Sequence, residues 1–354
     1  MLLLLAVLLA QSPRPVETPP DEALRDQTLR DQTLRDQTLR DEAPRRVILD
    51  TDMASDCDDA GALAVLHELA DRGEATILAT VVNRGDRTGR SAAAVDAINT
   101  FYRRPDIPIG TSRRRPGPID PGRSAFVEAV ADEFPNEPDV LDSAFPAAAD
   151  VLAEVLADQP NGSVTICSVG ALGNLADLLA RDGGAELAAA KVRRLVVMGG
   201  GFPRSQRPET NLKLDPVAAV AVAVEWPTPI VWQGFEVGAA VVSGGGLAGA
   251  ARPNPVRRAF ELRPYRGRAA IDGGKPSHDQ VAVLLAVRGA DALRSGEPVL
   301  ALSPPGRVAI DSRGHSEWQP QRRGRDRFVS IAGDASELAA AIDRLMADGP
   351  APAE

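Results

Sequence analysis

Val47-Ile48-Leu49-Asp50-Thr51-Asp52-Met53-Ala54-Ser55-Asp56-Cys57-Asp58-Asp59-Ala60 runs an apolar triplet into five carboxylates within ten residues. The triplet reads as a buried strand. Apolar residues at helical spacing over 61–71, stopped at Gly73, read as the following helix. Acids crowded at the end of a buried strand repel one another and resist desolvation, so they need a compensating charge. A bound divalent cation is the usual one. Helix capping accounts for one or two of them, with Asp56 as N-cap and Asp58 and Asp59 favoured in the first turn. It leaves Asp50 and Asp52 unexplained. A calcium loop of the helix-loop-helix kind fits poorly, because the twelfth position counted from Asp50 is Gly61 rather than Glu.

Outward from this stretch the text alternates between short apolar runs and helical periodicity. Strands are expected at 47–49, 76–82, 107–110, 163–169, 195–198, 229–232, 308–311 and 328–331. Helices are expected at 61–71, 92–102, 147–157, 174–181, 215–225, 279–287 and 337–346. That alternation predicts an α/β fold: an open, mainly parallel sheet flanked by helices, with a Rossmann-like core. Ligands of such sheets bind outside the carboxyl ends of the strands. The acidic stretch, residues 167–173, Gly199-Gly200-Gly201 and residues 233–236 all fall at such ends. No linker divides residues 46–348, which are read as a single domain.

The remainder of the chain differs in character. Residues 1–10 are almost entirely Leu, Val and Ala, far short of the roughly 20 residues a membrane-spanning helix needs. They fit the apolar region of a secretory signal, which predicts a secreted or periplasmic protein with no membrane span. Residues 11–44 open Pro-rich and then repeat Leu-Arg-Asp-Gln-Thr from Leu24, Leu29 and Leu34. So charged a segment cannot bury enough surface to offset the entropy of ordering, and it reads as a disordered linker. The net charge of −9, with no basic stripe interleaved with aromatics, argues against a nucleic-acid partner. Homo-oligomerisation stays open. Two cysteines make no disulfide framework; Cys57 and Cys167 read as free thiols, although both segments end at the same sheet edge.

Two further constellations carry chemistry. Ser277-His278-Asp279-Gln280 has the Ser-x-x-Gln form of a capping box, with Asp279 in the first turn. His278 gains little from capping, and a His-Asp pair at a helix start supplies a proton donor and a metal ligand together. His67, inside the first helix, reads as structural, and His315, in a polar turn, as surface. In Glu209-Thr210-Asn211-Leu212-Lys213-Leu214-Asp215-Pro216, Asp215 and Pro216 form a helix start. Glu209 and Asn211 suit sugar hydroxyls.

Taken in order, Asp50-Thr51-Asp52 with Asp58-Asp59-Ala60, then Val169-Gly170-Ala171-Leu172-Gly173-Asn174, resemble motifs of the inosine-uridine preferring nucleoside hydrolase family. Val197-Met198-Gly199-Gly200-Gly201, Glu209-x-Asn211 with Asp215-Pro216, and His278-Asp279 continue the match. The resemblance spans roughly residues 46–347. It implies calcium-dependent hydrolysis of the N-glycosidic bond of a ribonucleoside or related N-riboside. By motif position the calcium ligands would be Asp52, Asp59, Asp279 and the Gly173 carbonyl, with Asp52 also the general base. Asp58 and Asn211 would hold the ribose 2′- and 3′-hydroxyls, Glu209 would lie near the 5′-hydroxyl, and Asn83 is a further sugar contact. His278 is the candidate proton donor to the departing base. Phe202, Trp232 and Phe235 are the aromatics available to stack on the base, with Trp232 better suited to the core. The acidic loop is two residues longer than the family's Asp-x-Asp-Pro-Gly-x-Asp-Asp and lacks Pro-Gly, which leaves Asp56 without a role. Thr210 stands where the family usually has an aromatic. Base preference is not readable. Two other classes remain: a sugar- or nucleoside-binding protein of the same fold that has lost catalysis, and a phosphatase with an Asp nucleophile.

Overall fold

Short apolar strands need cover on both faces, and the central sheet has it. The computed structural model describes residues 43–54, 56–85, 88–114, 121–136, 141–294 and 298–350. The apolar segment 1–10 and the repeats within 11–42 lie outside the described residues. Eight strands form one sheet: β1 (Arg45–Thr51), β2 (Ala75–Val82), β3 (Ile109–Thr111), β4 (Val164–Ser168), β5 (Val192–Met198), β6 (Ile230–Gln233), β7 (Leu300–Leu302) and β8 (Arg327–Ile331). Their order in space is β7-β8-β6-β5-β4-β1-β2-β3. All neighbours are parallel except the edge pair β7 and β8.

Side chains alternate across each strand and feed two apolar layers. Val47 and Leu49 point into one layer with the helices Asp58–Asp71, Ser91–Phe101, His278–Arg288 and Ala335–Ala347. Ile48 points into the other, with Ala148–Ala157, Gly173–Leu179 and Pro216–Glu225. Close packing shows at Gly61, where a Cβ would lie 2.5 Å from the Gln280 side chain and 2.9 Å from Met346 Sδ.

The topology decides where a ligand can sit. From β1 the chain builds outward through β2 to β3, then returns to the other side of β1 and builds β4, β5 and β6. The strand order therefore reverses between β1 and β4, and a crevice opens at their carboxyl ends. The acidic stretch leaves β1 at that crevice.

Two local readings are corrected. Residues 308–311 do not join the sheet; Gly306–Ile310 pairs antiparallel with Ser316–Pro320 in a separate hairpin. Nor does the capping box at Ser277 form. The Ser277 side chain makes no cap bond, and its hydroxyl pairs instead with Ser243 Oγ at 2.6 Å.

Candidate active site

The site begins at the carboxyl end of β1. Asp50 is fully buried and accepts hydrogen bonds from Ser168 Oγ at 2.7 Å and Asn174 Nδ2 at 2.9 Å. It thus ties β1 to β4 and to the next helix, which makes it support for the loop rather than part of a cleft. Burial pushes its carboxyl up to about 6 from 3.8, with Ser168, Asn174 and Asn83 opposing. Between those values the folded state holds a proton that the unfolded state releases, so stability falls as pH rises from about 4 to 6. In Asp50→Asn, urea unfolding in chelator is expected to show that fall flattened by about 3 kcal/mol, the equivalent of roughly two pK units.

The remaining acids gather at the crevice. Asp58, Asp59 and Asp279 each offer a carboxylate oxygen within 4.8 Å of the others, and all three are buried. Thr51 Oγ1 donates to Asp59 Oδ1, whereas Asp59 Oδ2 is buried with no hydrogen-bond partner. Burial, then the charges of Asp52 and Asp58, hold the Asp59 carboxyl well above its usual range. Asp279 is raised by burial and by Asp58, Asp59 and Asp52. Convergent hard oxygen donors, one of them unsatisfied, fit a divalent cation such as calcium or magnesium.

Asp52, buried at 2% exposure, lines the same cleft of about 270 Å³ together with Asp56, Asp58, Glu209, Asn211, Lys275, His278 and Asp279. The structure therefore brings together most of the residues expected from the sequence. It groups Asp58, rather than Asp52, with Asp59 and Asp279. Asp59, Asn83 and Gly173 are not among the cleft's lining residues; Asp59 is fully buried and reaches the site only through its oxygens beside Asp58 and Asp279. Asn83 packs under Gly170, where a Cβ would lie 2.4 Å from Asn83 Oδ1 and 2.8 Å from Asp52 Cβ. A Cβ on Gly173 would lie 2.8 Å from Arg114 Cδ.

Glu209 caps the helix Thr210–Leu214, its Oε2 accepting from the backbone N–H of Asn211 at 2.9 Å and of Gly200 and Leu212 at 3.2 Å. Asn211 Nδ2 donates to the carbonyls of Val169 and Met198, locking the ends of β4 and β5 together. Asp215 caps the next helix, accepting from Ala218 N–H at 3.0 Å. His278 opens the helix His278–Arg288, and its ring stacks on Phe235 with centroids 4.9 Å apart. Its Nδ1 is buried without a partner. Burial lowers its pKa, with Asp58 opposing. Gly238 allows this contact, since a Cβ there would lie 2.5 Å from His278 Cα. Trp232 is fully buried in the core. His67 is buried too, stacked on Tyr102 at 4.6 Å, and His315 sits in a surface turn against Asp311.

Asp56 acquires a role. It is not the N-cap, a position that falls to Cys57 without a side-chain bond. Instead it takes a two-pronged contact from Arg263, Nε to Oδ1 and Nη2 to Oδ2, both at 2.9 Å. Lys275 Nζ lies 3.3 Å from Asp56 and 3.0 Å from Asp58. Lys275 is 3% exposed. Burial alone would lower its pKa, and Asp58 and Asp56 more than offset that, so the ammonium is held above its ordinary value. Cys57 and Cys167 are buried free thiols.

Residues 47–334 match the inosine-uridine preferring nucleoside hydrolase family. The chain belongs to that family. A plant nucleoside hydrolase, the PpNRh1 enzyme, is similar in structure, with 21% identity and a TM-score of 0.64 over 86% of this chain and 99% of its own. A purine-preferring ribonucleoside hydrolase from Gardnerella vaginalis is similar at 17% identity and TM-score 0.66, covering 85% of this chain and 98% of its own. The type III effector XopQ, solved with adenosine diphosphate ribose, is similar at 18% identity and TM-score 0.59 over 94% and 97%. No curated protein sequence matches the chain. Membership in the nucleoside hydrolase family supports a hydrolase acting on N-glycosyl bonds. Among the described residues no helix is long and apolar enough to cross a membrane.

Arg263 and Lys275 are charged residues of this cleft that sequence reasoning missed. One signal was available. Only three of the 40 basic residues are lysines, and Lys275 stands three positions before His278.

Proposed function

We propose that this cleft hydrolyses the N-glycosidic bond of a ribonucleoside, with calcium held by Asp59 and Asp279 together with Asp52 or Asp58. The observation that carries the reading is the convergence of these carboxylates at the strand-order reversal, beside His278. When bound, calcium would lower the pKa of water and orient the ribose diol. Asp52, buried at the cleft wall, takes the proton from the attacking water. Positive charge grows on the sugar as the bond breaks. An anionic cleft stabilises that charge more in the transition state than in the ground state. Asn211 and Glu209 border the sugar.

His278 gives the departing base its proton or hydrogen bond. His278→Ala is expected to lower inosine turnover about 10²–10⁴-fold while sparing p-nitrophenyl riboside, whose leaving group departs without a proton. Equal losses on both substrates would remove His278 from that role.

The deciding experiment is a calcium-supplemented screen of purine and pyrimidine nucleosides, read as release of reducing sugar. Turnover that disappears with chelator and returns with calcium is the expected result. Ribose-dependent heat in a calorimeter without release of free base would instead identify a binding protein.

A further inference from the structure

The catalytic cleft does not end at Glu209. Glu209, Thr210 and Phe235 also line a second cavity of about 870 Å³, against about 270 Å³ for the cleft itself. Drug-sized ligands usually fill pockets of roughly 300–1,000 Å³. A substrate seated in the cleft therefore has room to extend past Glu209 into the larger space.

The charge of that space is opposite to the cleft's. Arg204, Arg207 and Lys213 line it, and all three are exposed. In a chain of net charge −9, next to a floor of aspartates, three cations on one wall stand out from the composition. Lys213 is another of the three lysines. Arg204 pairs with the exposed Glu317 at 3.1 Å. The Arg207 guanidinium lies 5.5 Å from the centroid of the Phe235 ring. Among the described residues neither Arg207 nor Lys213 has a carboxylate within ion-pair distance. The two carboxylates on the same wall are already engaged by backbone. Glu209 holds three N–H groups, and Glu236 accepts from Phe202 N–H at 3.2 Å. Burial also holds both carboxyls above their usual range. The uncommitted charge in this cavity is positive.

Arginine and lysine together on the wall of an open cavity suit a phosphate group. We propose that the second cavity binds a phosphate ester carried on the ribose, so that the preferred substrate is a nucleoside 5′-phosphate rather than a free nucleoside. This rests on the proposed reading of the cleft, with Glu209 near the 5′-hydroxyl as the family resemblance implies. In the reaction the N-glycosidic bond breaks and water adds its oxygen to C1′. The base leaves with a proton and the phosphate ester is untouched, so the products are free base and ribose 5-phosphate.

Calorimetry on the full chain with calcium separates the pieces, using ribose, ribose 5-phosphate and inorganic phosphate as probes. Ribose 5-phosphate is expected to bind at least about ten-fold more tightly than ribose, equivalent to about 1.4 kcal/mol, and inorganic phosphate far more weakly than ribose 5-phosphate. The double variant Arg207→Gln, Lys213→Gln is expected to lose that gain while binding ribose as the wild type does. Three results overturn the proposal: no preference for ribose 5-phosphate, including no measurable binding of it; a preference that survives the double substitution; or inorganic phosphate binding as tightly as the sugar phosphate. Turnover of inosine and inosine 5′-phosphate then tests the underlying reading by itself. Cleavage of inosine without any phosphate preference sinks the phosphate subsite alone. A phosphate preference in binding, with neither compound cleaved, sinks the hydrolase reading and leaves the subsite standing.

Discussion

Asp279→Ala is expected to abolish calcium binding and to lower turnover by about 10²–10³-fold, the scale seen when one electrostatic stabiliser is removed. The cause is the charge balance of the cleft. Asp279 is buried with Asp58, Asp59 and Asp52 as its like-charged neighbours, and burial and repulsion together raise its carboxyl far above the usual range. Without a cation this group is a liability to the fold; in the proposed site a cation would relieve it. Two signs follow. In chelator, Asp279→Asn is expected to be more stable than the wild type, because the neutral amide removes repulsion at little change in volume. In calcium at 100 times its dissociation constant the wild type is expected to gain about 2.7 kcal/mol, and Asp279→Ala none. Chemical denaturation with and without calcium reads both effects. A calcium-dependent stabilisation that survives in Asp279→Ala would show that the cation sits elsewhere.

How much of this was legible beforehand depends on the range of each interaction. β1, β2, β4 and β5 could be read because strands buried on both faces are continuous apolar runs, and Val47, Ile48 and Leu49 leave no doubt between strand and surface. The edge strand Leu300–Leu302 was missed although residues 299–302 are all apolar, because three residues paired on one side only are too few to tell a strand from a loop. The 308–311 segment is apolar enough for a strand, and its fate in a hairpin was decided by pairing with Ser316–Pro320, which periodicity does not encode. Short helices such as Phe235–Ala240 were missed for lack of a full apolar face. In the site, the aspartates and His278 announced themselves because metal and proton chemistry require those residue types. Asp56 did not, because its partner Arg263 lies 207 positions away. Long-range ion pairs have no local pattern, and capping, the local reading of Asp56, proved to be the wrong one.

That ion pair carries the second large effect. Lys275→Met is expected to cost about 3–5 kcal/mol in chelator at neutral pH, the usual result of breaking a buried charge pair from one side. Lys275 bridges Asp56 and Asp58 at 3.3 and 3.0 Å and is itself buried. Methionine keeps most of the apolar stem, so the loss is of charge rather than of packing. The loop is two residues longer than the family pattern of the resemblance and lacks its Pro-Gly, and Asp56 is braced by Arg263 and Lys275. Two controls make the argument specific. The double variant Asp56→Asn, Lys275→Met is expected to be less destabilised than the sum of its single changes by about 0.5–3 kcal/mol, the range for residues in one ion-pair network. Added calcium is expected to shrink the Lys275→Met deficit, because a cation at Asp58, Asp59 and Asp279 supplies part of the missing charge. A cost below about 1 kcal/mol, typical of an exposed ion pair, would mean that the loop is held by its apolar contacts at Met53, Ala54 and Cys57, which are also fully buried.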